Sequence, residues 1–111
     1  MPDVYRRLTS KDVGTTRTRV GSYTVPVGGV AQVIGVSVAN TASAAVAADL
    51  ELFDGATYFF ICDAVPLAVA QTLAPVGEMN KLVLQAGDGV FARSNTAASL
   101  DVIISILERT P

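Results

Sequence analysis

The sequence predicts an all-β fold: a two-sheet antiparallel β-sandwich, immunoglobulin-like or jelly-roll in class, carried by residues 15–111 behind an N-terminal arm of residues 1–14. Three observations predict it. Apolar residues alternate with polar or small ones through Val30–Asn40, Val46–Phe53 and Leu100–Glu108, the period of two that sends successive side chains to opposite faces of a strand. Clusters of Gly, Pro, Asn and Asp punctuate the chain at intervals of about ten residues, as in sandwiches of seven or eight short strands. Half of the 111 residues are hydrophobic and 16% are charged, which supplies enough apolar surface for one core and too little length for two.

Each element follows in order. Residues 1–14 show neither a helical nor a strand period and end at Gly14, so they read as an arm with a short turn around Thr9-Ser10-Lys11-Asp12. Thr15–Val25 is rich in β-formers and is stopped by Pro26 and Gly28-Gly29, which gives a first strand. In Val30–Asn40, Ile34, Val36 and Val38 point one way and Val33, Gly35, Ser37 and Ala39 the other. Both faces are apolar or small, so this strand is expected at the centre of a sheet. After the turn Asn40-Thr41-Ala42-Ser43, Val46, Ala48, Leu50 and Leu52 alternate with Ala47, Asp49, Glu51 and Phe53. The alanines of Ala42–Leu52 admit a helix, but acids set opposite leucines at a strict period of two favour a strand.

Asp54-Gly55 is a hairpin turn into Thr57–Cys62, the most aromatic stretch, which should pair antiparallel with the strand before it. Asp63–Gly77, with Pro66 and Pro75 framing Leu67–Leu73, reads as a loop with a short strand. Lys81–Gln85 is a strand, Ala86-Gly87-Asp88-Gly89 a tight turn, Val90–Ser94 a strand and Asn95–Ala98 a turn. The last strand, Leu100–Glu108, sets Leu100, Val102, Ile104 and Ile106 on one face; the other, with Ile103 and Leu107, is half apolar and is expected to be covered. No internal repeat is visible, which argues against a solenoid.

The residue inventory argues against catalysis. There is no histidine, so the seven serines cannot enter a Ser-His-Asp relay, and Lys11 and Lys81 stand in no Ser-x-x-Lys context. Asp49 and Glu51 share one strand face, and Asp54, Asp63 and Asp88 fall at turns, where aspartate serves backbone amides. Asp88 with Asp101 or Asp54 is a weak calcium candidate, and the Ala86–Gly89 turn lacks the lysine and helix of a phosphate loop. No metal or cofactor is therefore expected. Cys62 has no second cysteine to pair with and reads as a core residue. Neither a signal peptide nor an apolar run of about 20 residues is present, so synthesis in a cytoplasm and no membrane partner are expected.

Charge is distributed unevenly. Arg6, Arg7, Lys11, Arg17 and Arg19 against Asp3 and Asp12 give the first twenty residues a net +3, and the remainder carries −5. These five basic residues are the candidate partner-binding set, suited to an acidic protein surface or to phosphates; the alternative is a solvated arm. A specific nucleic-acid partner is disfavoured by a pI near 4.8 and by the lack of aromatics among the arginines. So small a domain with so high an apolar content leaves greasy surface outside, which calls for a homo-oligomer or a larger lattice to cover it.

The segments Gly21-Ser22-Tyr23-Thr24-Val25-Pro26-Val27-Gly28-Gly29, Val33–Thr41, Leu84-Gln85-Ala86-Gly87-Asp88 and Ser105-Ile106-Leu107-Glu108 resemble those of small structural proteins of tailed bacteriophages. The shared pattern is a Tyr-Thr-Val-Pro-x-Gly opening, an apolar strand ending in Ala-Asn-Thr, an Ala-Gly-Asp turn and a Ser-x-Leu-Glu close, and the likeness runs from about residue 15 to 108. It implies a non-enzymatic virion component made in the host bacterial cytoplasm. The leading form is a capsid decoration (cement) protein bound to the major capsid protein as a homo-oligomer, a trimer being favoured. A neck, tail, baseplate or fibre-attachment adaptor among other virion proteins is the alternative. A carbohydrate-binding module is the alternative of another class, weakened by three tyrosines and no tryptophan.

Overall fold

The computed structural model describes residues 3–74 and 82–110. Among these described residues nine strands follow in order: β1 (Asp3–Val13), β2 (Thr18–Arg19), β3 (Val30–Asn40), β4 (Val46–Phe53), β5 (Tyr58–Leu67), β6 (Thr72–Leu73), β7 (Leu82–Gln85), β8 (Gly89–Ser94) and β9 (Leu100–Arg109). A single 3-10 turn, Val20–Ser22, follows β2. No helix among the described residues is long and apolar enough to cross a membrane.

The strands form two antiparallel sheets. The first runs β1-β9-β3-β6, with β7 also paired to β3, and the second runs β2-β8-β4-β5. The pairing is nested: β1 with β9, β2 with β8, β3 with β6 and β7, β4 with β5. One long hairpin, rolled so that successive pairs fall alternately in the two sheets, has this order, which is that of a jelly roll. The immunoglobulin alternative is set aside because its first two strands pair with each other, whereas β1 and β2 lie in different sheets.

The core lies between the sheets and follows the two-residue period closely. Leu100, Val102, Ile104 and Ile106 of β9 and Val46, Ala48 and Leu50 of β4 are all buried. β3 is central, as expected, but its phase reverses. A register shift between Val33 and Gly35 against β9 marks a bulge, so Ala31 and Val33 face inward before it and Val36, Val38 and Asn40 after it. Asn40 closes that end: its Nδ2 donates to the carbonyls of Ala44, Leu67 and Ala68 at 3.0–3.1 Å, and its Oδ1 accepts from Ala42 N.

Several expectations are corrected. Residues 3–13 are not an arm: they form an edge strand in register with β9 from Asp3 to Ser10, and Leu8 and Val13 enter the core. The first expected strand is cut to two residues because Gly21 (φ 64°) and Ser22 (φ 52°) turn the chain, and a Cβ on Gly21 would lie 2.9 Å from that of Leu8. β5 runs on through Pro66 to Leu67, tolerable because β5 is an edge. Within the single chain, Ile103 on the outer face of β9 is exposed and Leu107 beside it half-buried. Cys62 packs against the core only partly. Lys81 and the end of the expected loop, residues 75–77, lie outside the described residues.

Candidate functional site

The five basic residues anticipated as a partner-binding set are not gathered into one patch. Arg6 and Arg7 point to opposite faces of β1, Lys11 lies farther along that strand, and Arg17 and Arg19 sit on the outer face of the second sheet. Arg6 Nε donates to Glu108 Oε1 at 2.8 Å, and the Tyr23 hydroxyl donates to the other carboxylate oxygen. Glu108 is buried, and the Tyr23 hydrogen bond together with the Arg6 guanidinium holds its carboxyl below the ordinary value. The Tyr23 phenol is pushed upward, first by burial and then by its bond to Glu108. Lys11 Nζ lies 3.7 Å from Asp101 and is largely solvated. Arg7 has no ion pair among the described residues.

Arg17 and Arg19 belong to a built surface. Glu51, assigned from its period to the outside of β4, does point outward yet is only 1% exposed, lying between Phe91 of β8 and Phe60 of β5. Arg17 covers it: Nε and Nη2 donate to the two carboxylate oxygens at 2.9 and 3.0 Å, the two-pronged geometry suited to a guanidinium. The same guanidinium stacks 4.0 Å from the Tyr58 ring centre. Arg19 lies 4.7 Å from the Phe91 ring and 5.6 Å from Phe53, and donates to the Tyr23 carbonyl. Gly89 makes room for it, since a Cβ there would meet the Arg19 guanidinium at 2.1 Å.

Phe53, Tyr58 and Phe91 complete this face as a cluster. Phe53 and Tyr58 are 4.5 Å apart, and Phe91 meets them edge-on at 5.5 and 5.3 Å. The hairpin Asp54-Gly55 produces the first contact. Asp54 Oδ1 accepts from Ala56 N and Thr57 N, and Gly55 adopts φ 95°, so Phe53 and Tyr58 become cross-strand partners. Those two amide bonds also hold the Asp54 carboxyl below its ordinary range.

The cluster borders a sheet edge that no other described strand pairs with. β5 is the outermost strand of the second sheet, and its first three residues are aromatic: Tyr58, Phe59 (50% exposed) and Phe60 (53% exposed). Farther along, two register irregularities against β4 and Pro66 disrupt that edge, so the open stretch is the aromatic one. Charge counting along the sequence missed it; the run Tyr58-Phe59-Phe60 was the signal, because consecutive aromatics on an edge strand cannot all face inward. Chemically this surface offers apolar area, ring faces and free backbone groups. The Cys62 thiol beside it is pushed up by burial, the reverse of an activated nucleophile. No family model, curated protein or solved structure matches the chain.

Proposed function

We propose that the chain is a non-enzymatic structural protein of a bacteriophage virion, a decoration protein that docks on the outside of the capsid shell. The observation that carries this reading is the exposed aromatic edge Tyr58-Phe59-Phe60 on an otherwise well-satisfied sandwich, in which no buried side-chain polar atom of the described residues lacks a partner. A surface of that kind suits a protein partner: the edge can accept a strand and the rings can fill apolar pockets. The jelly roll is an architecture of coat proteins and lectins alike, so it supports the reading only as analogy. The sequence resemblance to phage structural proteins supports the coat-protein use over the lectin one. Four of the five basic residues are engaged within the molecule, so the docking role passes from them to β5.

Quantitative mass spectrometry of purified particles of the encoding phage tests this. Decoration requires hundreds of copies per particle, whereas a neck or tail adaptor would be present at roughly a dozen, following the rotational symmetry of such rings. Phe60→Ser should leave the fold intact and deplete the protein from particles. Absence of the chain from particles overturns the proposal.

A further inference from the structure

A second surface, on the other sheet and independent of the decoration reading, has a pattern that specifies its own partner. β1 is the outermost strand of the first sheet and stays in unbroken register with β9 from Asp3 to Ser10. Over that stretch it has neither a proline nor a bulge, two of the devices that keep sheet edges from pairing. Within that stretch two of the charges are met inside the copy: Asp3 accepts from Arg109 at 2.6 and 3.0 Å, and Arg6 pairs with Glu108. What β1 leaves open on its outer face is Tyr5, 76% exposed, Thr9, and Arg7, which has no ion pair among the described residues.

Antiparallel pairing of two copies of β1 about a two-fold axis must centre on a residue, because opposed side chains share a face. Centred on Tyr5, the axis sets Asp3 of each copy against Arg7 of the other and Tyr5 against Tyr5. Centred on Arg6 or Arg7, it sets like charges directly opposite, which is unfavourable. Centred on Leu8, it carries the pairing into the register shift between Ser10 and Val13. A carboxylate offers about four lone-pair sites, so Asp3 can serve its own Arg109 and the second copy's Arg7 together.

We infer that the chain self-associates through β1, with two copies joined antiparallel about Tyr5 and their first sheets fused into one. The charge pattern favours this two-fold pair over the trimer expected earlier. On the outer face, Tyr5 stands beside Leu107, then Gln32 and Val83, and the pairing doubles that row across the joined sheets.

The test uses the full chain free of particles, so its outcome is separate from that of the decoration reading. In a Cys62→Ser background, Tyr5→Cys should form a covalent dimer on mild oxidation while Thr9→Cys on the same face does not. Sedimentation should show a dimer whose dissociation constant rises roughly tenfold or more in Arg7→Asp, because two ion pairs become two like-charge pairs. The swapped triple variant Asp3→Arg, Arg7→Asp, Arg109→Asp should restore it. Unchanged circular dichroism of Arg7→Asp controls for folding. A monomer at all concentrations, or a dimer indifferent to Arg7→Asp and uncrosslinked through Tyr5→Cys, overturns the inference.

Discussion

Replacing Leu8 by alanine tests whether β1 is part of the fold or an arm laid beside it. Leu8 is 8% exposed, stands opposite Ile104 across the β1-β9 ladder, and has Gly21 packed so closely on it that no side chain fits there. Truncating a buried leucine costs about 2.7–5 kcal/mol, and the edge position with its residual exposure places this site near the bottom, at roughly 2–3 kcal/mol. At about 2.1 cal/mol/K per residue, unfolding a chain of this length converts that to a fall in Tm of about 10 °C. Thermal and urea unfolding followed by far-ultraviolet circular dichroism measures it. Tyr5→Ala, on the same strand but at an exposed position, should change stability by less than about 0.5 kcal/mol. Equal effects of the two substitutions, or no effect of Leu8→Ala, would refute the placement of β1 in the core.

Gly21→Ala forces a side chain into a left-handed backbone position and onto Leu8, and should cost about 1–3 kcal/mol in the same unfolding assay. Arg17→Met should lower Tm by leaving the Glu51 carboxylate buried without its partner, and Arg17→Met with Glu51→Leu should recover much of the loss. Glu108 is held below its ordinary 4.5, so the folded state binds its proton less readily than the unfolded chain. Its contribution is complete above that value and is lost as pH falls through the lower folded value. Tm of the native chain should therefore drop below about pH 4.5 more steeply than that of Glu108→Gln, as a melting series across pH would show.

The elements legible in the sequence were those whose own side chains carry the pattern. β4 and β9 alternate because one face meets the core, and the β4-β5 hairpin is written locally in Asp54-Gly55. β1 was illegible because it sends only Leu8 and Val13 inside and is otherwise solvated, so it has no apolar period to read. β3 had a period, but the bulge between Val33 and Gly35 reverses its phase, and Gly35, an isolated glycine inside a strand, was the signal that an unbroken period of two passes over. The site divides in the same way. Phe53 and Tyr58 were predictable neighbours across a hairpin, whereas Phe91 joins them only through the pairing of β8 with β4. Arg17 was visible as a charge, but its engagement by Glu51, 34 residues on, depends on β2 reaching the edge of β8.

On the proposed function, this sandwich would meet a viral shell through the aromatic start of β5. A reconstruction of the encoding phage's particle at a resolution that traces strands tests it most directly. Docking through β5 requires density for this jelly roll on the capsid exterior, with Phe59 and Phe60 against the shell protein. Density at the particle surface with β5 facing solvent, or none at all, would contradict it.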